Sequence, residues 1–247
     1  MFPEAYYRNN DKNLDINISL IFSKLEKSLR KFIEIFNWYL VSIIQSLHLK
    51  SELIKNTLGV SDENIRIYSF NYTSTFKRLY RKEMKIEFLH GQCGKSQNIV
   101  LGISDLKNDL LKKYKNYGFT KYHQKLLKNT NYVFLREDKH LIDIVESKGI
   151  GATEINIFIW GHSLADSDEN YIQEIFSFNE TRNVKFILTV FYYGSDDFSL
   201  LNNLLDILDK EKVEKWMKKG WLKFEKNPDI AKLNNIQPIE LPKFEEA

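Results

Sequence analysis

Between residues 13 and 56 the apolar side chains recur at helical spacing, through Leu20, Ile21, Leu25, Leu29, Phe32, Ile33, Phe36, Leu40, Ile43, Ile44 and Leu47, with Lys and Glu at many of the positions between them. That period predicts one long helix or two consecutive ones. Beyond Gly59, the first glycine in the chain, short β-type runs at 65–70, 85–89, 99–103, 155–160 and 184–191 alternate with helix-type stretches. Alternation of this kind predicts an α/β fold with a mainly parallel sheet of about five strands. Residues 105–147, with helical spacing at Leu106, Leu110 and Leu111 and again at Leu126 and Leu127, are expected to cover a sheet face or form a helical insertion. A helix over 196–209, a basic amphipathic piece around Trp216 and Met217, and a polar tail with Pro238 and Pro242 complete the pattern. The expected organisation is a single domain over 1–247: a helical N-terminal segment at 1–58, an α/β core at 65–195, and a helical C-terminal part with its tail at 196–247.

Composition narrows the picture. At 247 residues and 43% hydrophobic content the chain can bury one large core without cross-links. Lys+Arg at 36 against Asp+Glu at 33, with the signs interleaved, gives no basic face that would indicate nucleic acid or an anionic membrane. Cys93 is the only cysteine, which removes intramolecular disulfides and multi-cysteine zinc sites and suits a reducing compartment. The first twenty residues lack the pattern of a signal peptide, and no apolar run approaches a membrane span. A cytoplasmic protein is expected.

Three predicted strands run into unusual polar sequence: Asn71-Tyr72-Thr73, His90-Gly91-Gln92, and the segment from Gly161 through His162 and Ser163 to Asp168. Strand ends at one edge of a parallel sheet face a common crevice where ligands bind, so these loops are expected to share a pocket. Each is equally a plain strand-to-helix turn, with Asn71, Thr73 and Asp166 as helix caps and Asp166 with Glu169 as a capping-box-like pair.

The ordered set Ser69 to Thr73, His90-Gly91, Val100-Leu101-Gly102, Phe119-Thr120-Lys121, and Gly161 to Leu164 with Asp168 and Tyr171 resembles the motifs of the AbiH family of bacterial abortive-infection proteins. Those proteins in turn look distantly sirtuin-like. The resemblance implies a Rossmann-like sheet and an anti-phage role. It also implies a pocket for NAD or a related nucleotide, with cleavage of the nicotinamide–ribose bond as the expected chemistry. By position, Asn71 would orient the ribose or a water and His90 would be the general base, with Thr73, Gly91, Gly161, Ser163 and Asp168 at the cofactor. The residue types suit those roles, since imidazole titrates near neutrality and an amide both donates and accepts. Where sirtuins place an acid two residues after the Asn, this chain has Thr73, as AbiH proteins do.

AbiH proteins begin with a strand and a glycine-rich loop, whereas residues 1–58 contain no glycine. A pyrophosphate cradle of backbone N–H groups usually needs glycine. The expectation is that the family's glycine-rich segment is missing, that it lies upstream or in a separately encoded partner, and that this chain alone binds NAD weakly and turns it over poorly. The main alternative is a non-catalytic module that senses a nucleotide or binds a phage or host protein, for which 14% aromatic content offers material. A homo-oligomer is a further expectation for the partners.

Other motifs fail on inspection. Gly161-His162-Ser163-Leu164-Ala165 nearly matches the nucleophile elbow of α/β-hydrolases, but Ala165 replaces the second glycine and no histidine follows Ser163. Gly91 to Ser96 ends like a phosphate-binding loop, yet Leu89 stands where its first glycine belongs and the next residues are strand-like. Cys93 reads as a core residue, and no His, Asp and Glu grouping has metal-ligand spacing, so no metal is expected.

Overall fold

A computed structural model describes residues 7–10, 13–44, 65–79, 85–130, 134–135, 138–139, 141–143, 154–182, 185–233 and 235. Strands β1 (Tyr7–Asn10) and β2 (Asn13–Ile16) form an antiparallel pair ahead of helix α1 (Ile18–Tyr39), which ends in a π-turn at Leu40–Ile44. The long helix therefore starts later than its periodicity suggests. Asn17 sets the start by accepting a hydrogen bond from the Leu20 backbone at 3.2 Å, an N-cap that satisfies an otherwise orphan donor. The expected continuation to residue 56 lies outside the described residues.

Two parallel sheets follow where a single sheet of about five strands was expected. The first pairs β3 (Ile67–Ser69) with β4 (Ile86–Phe88), with α2 (Thr75–Leu79) between them in the chain. The second has the order β5 (Glu154–Trp160), β6 (Lys185–Tyr192), β7 (Leu222–Lys226). Residues 99–103 are not a strand. Their backbone groups are taken elsewhere: Val100 N–H by the His90 carbonyl, Leu101 N–H by the Gln124 side chain, and Ile103 N–H by the Phe119 carbonyl. A ladder partner would have nothing left to bond there.

The insertion comprises α3 (Asp109–Lys113), a 3-10 turn at Tyr117–Phe119, and α4 (Lys121–Lys128), capped by the Thr120 hydroxyl. After β5 come a 3-10 turn at Asp166–Asp168 and α5 (Glu169–Arg182); after β6 come α6 (Asp197–Ile207) and α7 (Lys210–Lys218); α8 (Ile230–Leu233) follows β7.

The main core lies between the three-stranded sheet and α5, α6 and α7. Phe186, Leu188 and Val190 of β6 are buried among Phe176, Phe178, Leu204 and Trp216, and the Phe176 and Trp216 rings sit 4.4 Å apart. Along β5 the exposure alternates, so Ile155, Ile157 and Ile159 turn to this core. A second core packs Ile33 of α1 and Leu40 of the π-turn after it against Cys93 and Ile99. Leu89, at the end of β4, is fully buried in the main core, which fixes the adjacent His90 beside the end of β5.

Candidate functional site

Four short segments deliver the polar cluster. The end of β3 supplies Phe70, the end of β4 supplies His90, and the turn after β5 supplies His162 and Asp168. The first and second turns of α4 supply Lys121 and Lys125. Phe70 is the hinge of the group: its ring lies 5.1 Å from that of His90, 4.3 Å from that of His162 and 5.2 Å from that of Tyr171.

Asp168 is the hub. His90 Nε2 lies 2.8 Å from its Oδ1, Lys121 Nζ lies 2.7 Å from the same oxygen, and His162 Nε2 lies 3.4 Å from Oδ2. Ser167 Oγ donates to Oδ2 at 3.3 Å and accepts from Lys121 Nζ at the same distance. Side-chain exposure is 5% for His90, 10% for Asp168 and 13% for Lys121, so the charges meet in a largely dehydrated setting. Burial by itself pushes the Asp168 carboxyl up, but the contacts with His162, His90 and Lys121 together hold it well below the usual carboxylate range.

The two imidazoles are not equivalent. His162 Nδ1 accepts the Leu164 backbone N–H at 2.9 Å, so this ring carries its hydrogen on Nε2, toward Asp168. Both of its nitrogens are committed. His90 also turns Nε2 to the carboxylate, and a lone pair there would be repelled, so Nε2 carries hydrogen and Nδ1 keeps the lone pair. The His90 N–H is close to Oδ1 but not directed along it, leaving that buried nitrogen without a formed hydrogen bond. Burial pulls the His90 imidazole below its ordinary value, Lys121 and Lys125 push the same way, and Asp168 offsets this only in part. At neutral pH His90 is therefore a neutral base held beside a carboxylate.

Lys125 extends the cluster. Its ammonium hydrogen-bonds the Tyr171 phenol oxygen, and that phenol donates to the Leu89 carbonyl at 3.2 Å. Burial, and then repulsion by Lys121, pull the Lys125 ammonium down to about 8. Tyr72, whose hydroxyl donates to the Val100 carbonyl, is pushed up to about 12 by burial and by Asp168. Among the described residues no group of three or more His, Cys, Asp or Glu side chains is arranged to hold a metal ion, and the Lys121 ammonium occupies the approach to Asp168.

The family model described as "Bacteriophage abortive infection AbiH" matches residues 4–193, a span that contains every residue of this cluster. The chain belongs to the AbiH family. No curated protein and no solved structure matches it.

Within this AbiH chain the residues anticipated at the site fall into two groups. His90 and Asp168, 78 positions apart, are in contact. Asn71 and Ser163 are exposed neighbours of the cluster: Asn71 is tied through its backbone to Ser69 Oγ, and the Ser163 carbonyl accepts from Asn203 at 2.8 Å. Thr73 bonds Thr75 at 2.7 Å at the start of α2. Gly91 has φ +80°, and a Cβ there would lie 2.0 Å from the Asn98 carbonyl oxygen, so close backbone packing requires glycine. Gly161, at φ +65°, faces open space.

The elbow reading of Ser163 fails structurally as well. The adjacent His162 has both nitrogens engaged, and among the described residues no histidine hydrogen-bonds the Ser163 hydroxyl. Lys121, Lys125, His162, Tyr171 and Phe70 were not weighed individually as site residues. The available signal was that Lys121, His162, Tyr171 and Phe70 all stand inside the motif set that resembles AbiH; Lys125 carried no signal beyond its place one helical turn after Lys121. No described helix is long and apolar enough to cross a membrane.

Proposed function

We propose that this AbiH protein acts in abortive infection by binding a nucleotide, with NAD as the ligand, where the ends of β4 and β5 meet, and that His90 takes a proton there from a ribose hydroxyl or a water. The observation that carries this reading is the His90–Asp168 contact. A neutral, buried imidazole with a carboxylate 2.8 Å from one nitrogen, which keeps the hydrogen on that nitrogen and the lone pair on the other, is a general base of set tautomer. His162, with both nitrogens engaged, positions Asp168 rather than acting on the ligand.

In this reading Asn71, exposed beside the cluster, orients the ribose, as its position in the sirtuin-like pattern implies. Thr73, Gly161 and Ser163 flank the ligand, while Asp168 acts through His90. A Rossmann-like, sirtuin-like origin is supported by parallel strands whose ends converge on one histidine. Gly91 is less suited to touch a cofactor, because Asn98 fills the space its missing side chain leaves.

Incubation of the protein with millimolar NAD and measurement of free nicotinamide tests the proposal. Slow release is expected, and His90→Ala should reduce it by roughly 10²–10⁴-fold, the usual contribution of a general base, with circular dichroism confirming that the variant, which loses a buried ring, is still folded. Ser163→Ala should be much milder. Release that survives His90→Ala and vanishes in Ser163→Ala would overturn the assignment of the base. Dense aromatic packing around His90, by Phe70, Tyr72 and Tyr171, favours a second reading in which the site senses a nucleotide without cleaving it. Binding of NAD with no nicotinamide release would select that reading.

A further inference from the structure

Helix α1 carries two apolar stripes. Leu29, Ile33 and Phe36, continued by Leu40 in the π-turn, face the second core. Asn37 ties the helix to the loop after His90, exchanging hydrogen bonds with the Gly94 backbone at 2.9 and 3.2 Å. The helix is therefore a fixed part of the body. The other stripe is open: Leu25, Phe32, Ile35 and Tyr39, with Trp38 at their flank, are each between 42% and 65% exposed. The Phe32 ring lies parallel to that of Phe36 at 6.1 Å, so the open stripe is continuous with the core beneath it.

Apolar side chains scattered singly over a surface need no explanation, but these are ordered. Ile21, Leu25, Ser28, Phe32, Ile35 and Tyr39 stand alternately four and three residues apart, the period of a coiled-coil seam. Ser28 is the polar member, and its hydroxyl donates to the Lys24 carbonyl at 3.0 Å, so covering it strands no donor. With about 150–250 Å² for each aromatic side chain and somewhat less for Leu and Ile, the exposed portions leave about 500 Å² of apolar surface per chain. Two such faces together reach about 1,000 Å², where specific interfaces begin.

We propose that this face is a dimer interface, covered by α1 of a second copy of the chain running antiparallel. A two-fold contact requires one surface to complement itself. About an axis between Ile33 and Glu34, Phe32 meets the partner's Ile35 and Ser28 meets the partner's Tyr39, each twice, so the small side chain faces the large ring. Lys31 then lies beside the partner's Trp38, a cation against an indole face. Antiparallel helix dipoles favour the same orientation. A lipid surface is the poorer match, because a membrane-surface helix exposes a polar face opposite its apolar one, whereas the face of α1 beside this stripe is buried in the second core. The proposal is independent of the nucleotide reading.

Sedimentation equilibrium on the 247-residue chain, from below to above micromolar concentration, tests it. A monomer–dimer equilibrium is expected, with a dissociation constant on the order of micromolar for so small an interface. Ile35→Glu, which sets a carboxylate against the partner's Phe32 in both central layers, should stay monomeric throughout, and Ile35→Leu should still dimerise. Trp38→Ala should weaken the dimer at least about tenfold. Both side chains are exposed in the single chain, so circular dichroism spectra of the variants should match the wild type. The thermal midpoint of the wild type should rise with protein concentration, and that of Ile35→Glu should not.

A wild type that is monomeric at the highest concentration, or a dimer that survives both Ile35→Glu and Trp38→Ala unchanged, would overturn the interface. A monomeric wild type that sediments with phosphatidylserine vesicles, and ceases to with Ile35→Glu, would overturn it in favour of a lipid surface.

Discussion

Asp168→Asn tests the hub directly. The substitution keeps the size of the side chain and one acceptor oxygen but removes the charge that faces Lys121 at 2.7 Å and His90 at 2.8 Å. Breaking a buried ion pair by neutralising one partner costs about 3–5 kcal/mol, because the other charge stays dehydrated and uncompensated. Lys121 retains 13% side-chain exposure and can rotate partly toward water, which places the expected loss near the low end, about 3 kcal/mol. For a chain of this size that is roughly 6–12 °C in Tm.

The pH dependence has a definite sign. Asp168 is held below its unfolded value of 3.8, so its contribution is fully present above that value and is lost as pH falls through the folded one. The gap between wild type and Asp168→Asn should be complete at pH 7 and nearly so at pH 5, and should narrow only as pH falls below the unfolded value of 3.8 toward the folded one. Urea unfolding at pH 7, at pH 5 and at about pH 3 measures it. A double-mutant cycle with Lys121→Met adds a second constraint, since removing the stranded ammonium should restore about 2 kcal/mol of the loss. Stability of Asp168→Asn within about 0.5 kcal/mol of wild type at pH 7, or strict additivity in the cycle, would refute the charge-hub argument.

The remaining predictions concern glycine and lysine. Gly91→Ala must move the Asn98 backbone and also adopt φ +80°, for an expected loss of about 3 kcal/mol or more, whereas Gly161→Ala, with φ +65° and open space around it, should lose only about 1 kcal/mol; urea midpoints compare the two. Lys125→Met should stabilise the fold at pH 7 by on the order of 1 kcal/mol, because burial and repulsion by Lys121 disfavour that ammonium in the folded state. The advantage should shrink as pH rises from about 8 toward 10.5, where the unfolded wild type holds a proton that the folded form has released. A destabilised Lys125→Met at pH 7 would contradict this.

Much of the architecture was legible because long periodic segments carry their own signal. α1 shows the helical period over 22 residues, and β5 alternates in exposure from Glu154 to Ile159. β7 escaped notice because Leu222 and Phe224 are only two apolar positions among Lys223, Glu225 and Lys226. Residues 99–103 misled for the opposite reason. Ile99 and Val100 are fully buried as a strand would bury them, but Gln124 and the 119–121 backbone take the hydrogen bonds that a ladder needs. An apolar run reports burial; it does not report where its backbone groups are satisfied.

At the site, His90 and Asp168 were legible from the residues shared with the AbiH pattern, but their contact was not. It depends on packing that brings the end of β4 to the turn after β5, through Leu89 in the main core. Lys121 and Lys125 were harder still. Two lysines one turn apart on a short polar helix read as a solvated face, and only the tertiary fold shows that this face is turned inward.

The turn after β5 shows what the fold gives up to assemble this group. Leu164 sits at φ +54°, a left-handed conformation that costs a non-glycine residue about 1–2 kcal/mol, and it does so with its side chain 1% exposed in the main core. Burial of that side chain offsets the strain. In this conformation the Leu164 N–H points back to His162 Nδ1, which turns Nε2 of that ring toward Asp168. The strained residue therefore sets a tautomer, the tautomer helps hold a carboxylate, and the carboxylate faces the His90 imidazole. A turn needed only to connect β5 to α5 could use glycine at that position without penalty. Backbone strain at Leu164 and a dehydrated set of charged groups gathered on Asp168 are concentrated at the meeting strand ends, which is the physical reason to place the function of this AbiH protein there.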